Sequence, residues 1–256
     1  MKKIIISKRE LEKTINSSNS RKEILDKLQI SQSTFYSICS SYKISAIKPK
    51  FNENYFENID SERKAYWLGF IFADGCVSEI KGCSKFLSIC LSRKDREHLE
   101  LFSKDIKSSI KIHDYHNKHD FSYIRLYSDK ISNDLIKLGC TPRKSLTLQY
   151  PILNKNMDRH FIRGYFDGDG CVSHHNNGAR GGPRLSIIGS EIFLDEMQNK
   201  LHEHLGIKKR PKLFRSGSAY KYDSTAYSSV KTIMDWLYKD SNVFLSRKRN
   251  SYLSAI

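Results

Sequence analysis

Two aspartates are the residues of this 256-residue chain best placed to do chemistry. Asp74 lies in Tyr66-Trp-Leu-Gly-Phe-Ile-Phe-Ala-Asp-Gly-Cys-Val-Ser78. That run recurs as Phe161-Ile-Arg-Gly-Tyr-Phe-Asp-Gly-Asp-Gly-Cys-Val-Ser173, which puts Asp169 at the matching place. Each run reads as a short apolar helix ending at Asp-Gly, and an isolated Asp-Gly of that kind is an ordinary turn. The small residues Gly69 and Ala73, and Gly164 and Gly168, are spaced four apart and share one helical face. Two such faces let two backbones approach closely. Helices paired there would bring Asp74 and Asp169 side by side at their C-termini, where the helix dipole and mutual repulsion both disfavour negative charge. Divalent cations between the two carboxylates would make that arrangement favourable.

The elements that must position these aspartates repeat with them. Leu87-Ser-Ile-Cys returns as Leu185-Ser-Ile-Ile, and Arg143-Lys144 as Arg247-Lys248, so the spacing widens along the chain as loop insertions would make it. Each copy reads as helix, two strands, helix, two strands, helix. Strands are expected near 76–80, 85–92, 110–117 and 121–128, then near 171–175, 183–190, 210–217 and 219–226. The later helices are expected near 94–107, 129–138, 190–205 and 227–239. In Ser122-Tyr-Ile-Arg-Leu-Tyr-Ser128, Tyr123, Arg125 and Tyr127 alternate with Ile124 and Leu126. A sheet of this kind packs helices behind and presents a polar, basic face in front.

The first 50 residues read as helices. Ser7 with Glu10 makes a capping box, Ser20 and Ser31 are placed to cap two further helices, and Ile24, Leu25 and Leu28 form an apolar stripe. The stretch Lys22–Tyr36 resembles a helix-turn-helix, in which Gln32, Ser33, Thr34 and Tyr36 would face DNA. The plainer alternative is a helical hairpin with a solvated polar face. Pro49 and the asparagines of 45–62 mark a linker, so the domains are set at 1–50, 51–150 and 151–256.

Composition agrees. Lys and Arg total 44 against 28 Asp and Glu, a formal charge of +16, and both the first 50 residues and the remainder are basic. Such a balance suits a polyanion partner, although an AT-rich genome also enriches lysine. With 39% hydrophobic residues, 13 Gly and 5 Pro, a packed core is expected and a fibrous or wholly disordered chain is excluded. The six cysteines form no C-x-x-C pair, which argues for reduced thiols rather than a disulfide framework or a zinc site. No apolar run approaches a membrane span, and the apolar start at Ile4–Ile6 stops too soon for a signal peptide. A soluble, cytoplasmic protein of bacterial or phage-like origin is expected.

Trp67-Leu-Gly-Phe-Ile-Phe-Ala-Asp-Gly75 and Ile162-Arg-Gly-Tyr-Phe-Asp-Gly-Asp-Gly170, each followed by Cys-Val-Ser, resemble the motifs of the LAGLIDADG homing endonucleases in their single-chain, two-motif form. The resemblance covers about residues 51–256. Copy one departs from the pattern with Phe72 where the motif's first Asp usually stands; copy two keeps Asp167. The resemblance implies an α+β fold of two pseudo-symmetric αββαββα subdomains, forming a saddle of antiparallel sheets in the DNA major groove. It implies that Asp74 and Asp169 bind Mg²⁺ or another divalent cation such as Mn²⁺, and that Lys144 and Lys248, after the last helix of each copy, polarise water or neutralise the phosphate. Candidate DNA contacts are Arg93, Tyr123, Arg125 and Tyr127 from copy one, and Arg184, Ser190, Arg215 and Lys221 from copy two. Arg180 in the copy-two insertion is a further candidate for phosphate. The activity implied is site-specific double-strand cleavage of DNA by a monomer. A DNA-binding regulator that does not cut, or an RNA maturase, would use the same scaffold.

Overall fold

A computed structural model of the chain describes residues 6–18, 21–44, 51–80, 82–116, 120–175, 181–207 and 210–255. It divides into two compact units, Met1–Lys50 and Phe51–Ile256.

The first unit holds three helices: α1 (Lys8–Asn16), α2 (Arg21–Leu28) and α3 (Gln32–Tyr42). Ser7 Oγ accepts the Glu10 N–H at 3.2 Å, so the capping serine expected from sequence is in place. Ser31 does the same for α3, accepting from Thr34 N–H at 3.2 Å. Ser20 lies outside the described residues. The turn between α2 and α3 passes through Gln29 in the left-handed region, with φ of 50°. Ile6, Leu11, Ile15, Ile24, Ile30, Phe35 and Cys39 form the core. Phe35 is fully buried at its centre, where truncation to alanine would cost about 3–5 kcal/mol.

The second unit is α+β. Copy one runs α4 (Glu62–Asp74), β1 (Gly75–Ser78), β2 (Phe86–Ser92), α5 (Arg96–Asp105), β3 (His113–Tyr115), β4 (Phe121–Tyr127) and α6 (Asp129–Lys137). Copy two runs α7 (Lys155–Asp169), β5 (Gly170–His175), β6 (Gly182–Gly189), α8 (Glu191–Leu205), β7 (Phe214–Ser216), β8 (Ala219–Ser224), α9 (Tyr227–Tyr238) and α10 (Ser246–Ala255). Each copy builds one four-stranded antiparallel sheet, in the order β1-β2-β4-β3 and β5-β6-β8-β7. The register pairs Ile89 with Ile124 and Ile187 with Tyr222 on the core face, and these four side chains are buried.

Helices α4 and α7 lie in direct backbone contact. A β-carbon added to Gly69 would fall 2.0 Å from Phe161 O, and one added to Gly164 would fall 1.9 Å from Tyr66 O. Only hydrogen fits there, which is why the small-residue stripe is present. Ala65 to Phe72 are buried without a break, so α4 is a central helix rather than an amphipathic one.

Three features differ from the reading of the sequence. The edge strands β3 and β7 have three residues each rather than eight. Pro211 lacks the N–H that would extend β7. Short 3-10 turns occupy Arg93–Asp95 and Lys144–Leu146. A last helix, α10, follows α9; only Tyr252 and Ala255 are buried in it, so it carries almost no apolar periodicity.

Candidate active site

The pairing of α4 with α7 delivers Asp74 and Asp169 together. A β-carbon on Gly168 would lie 2.3 Å from the Ala73 β-carbon and 3.3 Å from Asp74 Oδ2, so the end of one helix sits directly on the carboxylate of the other. Both aspartates are partly exposed. Burial first, then repulsion from Asp169, pushes the Asp74 carboxyl up to about 6, against the pull of Lys248, Arg247 and Lys144. Burial also raises Asp169, opposed by Lys144 and Lys248.

The two lysines occupy matching places. Lys144, buried in its 3-10 turn, donates from Nζ to Gly75 O at 2.5 Å. Lys248 donates from Nζ to Gly170 O, and burial followed by Arg247 lowers its ammonium from the ordinary lysine value. Each lysine therefore fastens to the carbonyl immediately after the motif aspartate of its own copy. Lys248 was expected after the last helix; it lies inside α10. Beside it Arg247 reaches across to copy one, its Nε 2.7 Å from Asp95 Oδ2.

No group of three or more His, Cys, Asp or Glu side chains suited to a metal occurs among the described residues. The donor set at the α4–α7 junction is oxygen only: two carboxylates that repel each other. That set fits a hard cation such as Mg²⁺, which is held through one or two carboxylates and retains water, and does not fit zinc.

The outer faces of the sheets carry most of the expected DNA contacts. Tyr123 and Arg125 stand opposite Cys90 and Ser88 on the outer face of copy one, with Tyr127 opposite Phe86. The Arg125 guanidinium lies over the Phe86 ring at 4.7 Å. Arg93 is exposed in its 3-10 turn, 2.8 Å from His116 Nδ1. In copy two, Lys221 pairs with Ile188 across the outer face, and Arg184 grips Asp223, Nε to Oδ1 at 2.8 Å.

Two expected contacts are corrected. Ser190 is buried; it caps α8 by accepting the Phe193 N–H at 3.2 Å and donates its hydroxyl to Leu148 O, so it has no access to a base. Arg215 pairs with Tyr220, which has the alternation of the buried Tyr222 and Ser224, so it stands on the opposite face from Lys221. In α3, Gln32, Ser33 and Tyr36 are exposed, whereas Thr34 is half-buried with its hydroxyl 2.8 Å from that of Ser31. Arg180 lies outside the described residues.

Sequence reading placed Tyr123 and Tyr127 on the copy-one face but did not extend it to His113, Tyr115 and Phe121. His113 stacks on Tyr123 at 5.2 Å and Tyr115 on Phe121 at 5.0 Å. Period-two alternation carried through β3 and the start of β4 would have shown it. Asp223 was also passed over, although it falls two residues from Lys221 on the same face.

Residues 156–227 match the family model described as a LAGLIDADG-like domain. No curated protein matches. Among solved structures, the LAGLIDADG meganuclease I-AabMI bound to uncleaved DNA aligns with a TM-score of 0.51 at 15% identity, over 76% of this chain and 90% of that one. I-CpaMI bound to uncleaved DNA aligns with a TM-score of 0.52 at 15% identity, over 74% and 88%. The I-SmaMI homing endonuclease bound to cleaved DNA gives 0.50 at 15%, over 74% and 86%. At these identities the likeness is one of fold.

Proposed function

We propose that this chain, which carries a LAGLIDADG-like domain within the fold of the LAGLIDADG meganucleases, is a site-specific double-strand DNA endonuclease of the homing type. The observation that supports it most is the junction of α4 and α7: two motif aspartates together, each with a lysine bound to the carbonyl of the next residue. Asp74 and Asp169 would hold divalent cations, Mg²⁺ or Mn²⁺, which supply activation of water and charge for the leaving 3′ oxygen. Lys144 and Lys248 place positive charge beside each carboxylate, where a phosphodiester gathers negative charge during attack. Arg125, Tyr123 and Tyr127 on one sheet and Arg184 and Lys221 on the other would enter the major groove, and α3 would extend the footprint. Because both motifs are in one chain, a monomer suffices for cutting both strands.

The test is selection from a randomised duplex-DNA library with Mg²⁺ or EDTA, beside structured intron RNA. Discrete double-strand ends made only with Mg²⁺ are expected. Sequence-selective binding with no cut under any metal would replace this reading with a DNA-binding regulator. Selectivity for the RNA alone would replace it with a maturase.

A further inference from the structure

Asp167 is two residues from Asp169 but points the other way, into the protein, where it is fully buried. Three donors converge on it. Tyr66 OH reaches Oδ2 at 2.7 Å, Tyr238 OH reaches Oδ1 at 2.5 Å, and the Leu245 backbone N–H reaches Oδ2 at 2.6 Å. Leu245 in turn begins α10: its carbonyl accepts the Lys248 N–H at 2.9 Å and the Arg249 N–H at 3.3 Å. One carboxylate thus holds, through its N–H, the residue whose carbonyl starts the lysine-bearing helix.

The segment between α9 and α10 is held by buried charge at other points too. Arg163, fully buried, donates from Nε to Val243 O at 2.9 Å within that segment, and from Nη1 to Leu237 O at 3.0 Å in the last turn of α9. Its Nη2 pairs with Glu62 at 2.7 Å, and Glu62 also accepts the Asn242 N–H at 2.8 Å. A buried carboxylate and a buried guanidinium are costly to desolvate, yet both are spent on this short connection. Among the described residues of copy one, no buried carboxylate takes this place. Phe72 stands at the place of Asp167 and packs edge-on against Phe161 at 5.1 Å, and Lys144 is carried on a 3-10 turn instead of a helix.

We infer that Asp167 is a positioning residue for Lys248: through the Leu245 N–H it sets the register of α10 and so holds the ammonium on Gly170 O. Copy two's lysine depends on this buried carboxylate, and copy one's does not. The part Lys248 plays in cutting rests on the nuclease reading above; its placement by Asp167 does not.

Two readouts separate these. The first is competitive acetylation of the full chain, with mass spectrometry reporting Lys248 against Lys144 in one sample. In Asp167→Ala the reactivity of Lys248 is expected to rise at least about threefold relative to Lys144. Asp167→Asn keeps an oxygen for the Leu245 N–H and should fall between. An unchanged ratio, or a rise at both lysines together as in general unfolding, overturns the inference. The second readout is nicking of each strand of the selected duplex. One strand should be cut about tenfold or more slower in Asp167→Ala, with the other strand and DNA affinity little changed. Equal slowing of both strands overturns the inference. A raised Lys248 ratio in Asp167→Ala, together with no DNA cut by wild type, leaves the positioning role standing and removes the nuclease reading alone.

Discussion

Lys144 Nζ lies 2.5 Å from the carbonyl oxygen of Gly75, the residue that follows Asp74. Lys248 makes the same contact with Gly170, the residue that follows Asp169. A surface lysine with no task would be solvated rather than buried against a carbonyl. Replacing either with Met, which keeps the apolar stem, should slow cutting of one strand by about a hundredfold or more. Affinity for the duplex should stay within about threefold. Strand-resolved nicking on an end-labelled duplex measures this; loss of binding in parallel with cutting would assign the lysines to DNA contact instead.

The approach of α4 and α7 leaves no space at its centre. Gly69→Ala or Gly164→Ala would force a β-carbon to within 2.0 or 1.9 Å of a carbonyl oxygen. Because packed backbones give way only as whole elements, each change should cost about 3 kcal/mol or more, or prevent folding. Gly182→Ala, where nothing lies within 4 Å, is the control and should be nearly neutral. Urea unfolding of the three variants checks the ranking, and a mild effect at Gly164 would mean the helices are farther apart.

His98 links the buried network to pH. Its Nε2 is 2.8 Å from Tyr66 OH, which itself donates to Asp167, so the imidazole is the Nε2–H tautomer. Burial, then Arg247, holds its pKa down to about 3 from the ordinary 6.5. Between those values the unfolded chain binds a proton that the folded chain does not. Stability from this site is therefore complete above about pH 6.5 and declines as pH falls. Asp74 and Asp167, both raised to about 6, act in the opposite sense over pH 4–6, so the total curve mixes signs. The difference between wild type and His98→Gln isolates the histidine. Wild type should lose about 1 kcal/mol per pH unit relative to the variant between pH 6 and 4; parallel curves would show that His98 is protonated in the folded state.

The sheet faces predict an asymmetry in DNA binding. Arg125→Ala and Lys221→Ala, on the outer faces, should each weaken binding of the selected duplex by about tenfold and flatten its salt dependence. Arg215→Ala, on the other face of its sheet, should change it by less than about threefold. Salt titrations by fluorescence anisotropy decide this, and an equal loss at Arg215 would show that DNA also follows the helix side.

Much of this was legible in the residues. The duplicated run ending at Asp74 and Asp169 marked the helix pair, because small residues four apart on one face let two helix backbones approach closely. Alternation at Tyr123, Ile124 and Arg125 gave the faces of β4 correctly, since both polarity and period agree there. In copy two, Arg215-Ser-Gly-Ser-Ala-Tyr-Lys does not alternate cleanly, and its turn with Gly217 in the left-handed region shifts the faces; Arg215 was misassigned for that reason. Ser190 was misassigned because a capping serine and a base-contacting serine look the same in sequence. The role of Asp167 depends on Leu245, seventy-eight residues later, and no local pattern reports such a contact.

The most direct test of the central claim is cleavage of the selected duplex, with Mg²⁺, by wild type, Asp74→Asn and Asp169→Asn side by side. Wild type should yield discrete double-strand ends, and each variant should lose them while still binding the same sequence. Undiminished cutting by both variants, or tight binding by wild type with no cut in any divalent metal, would contradict a nuclease built on these two aspartates.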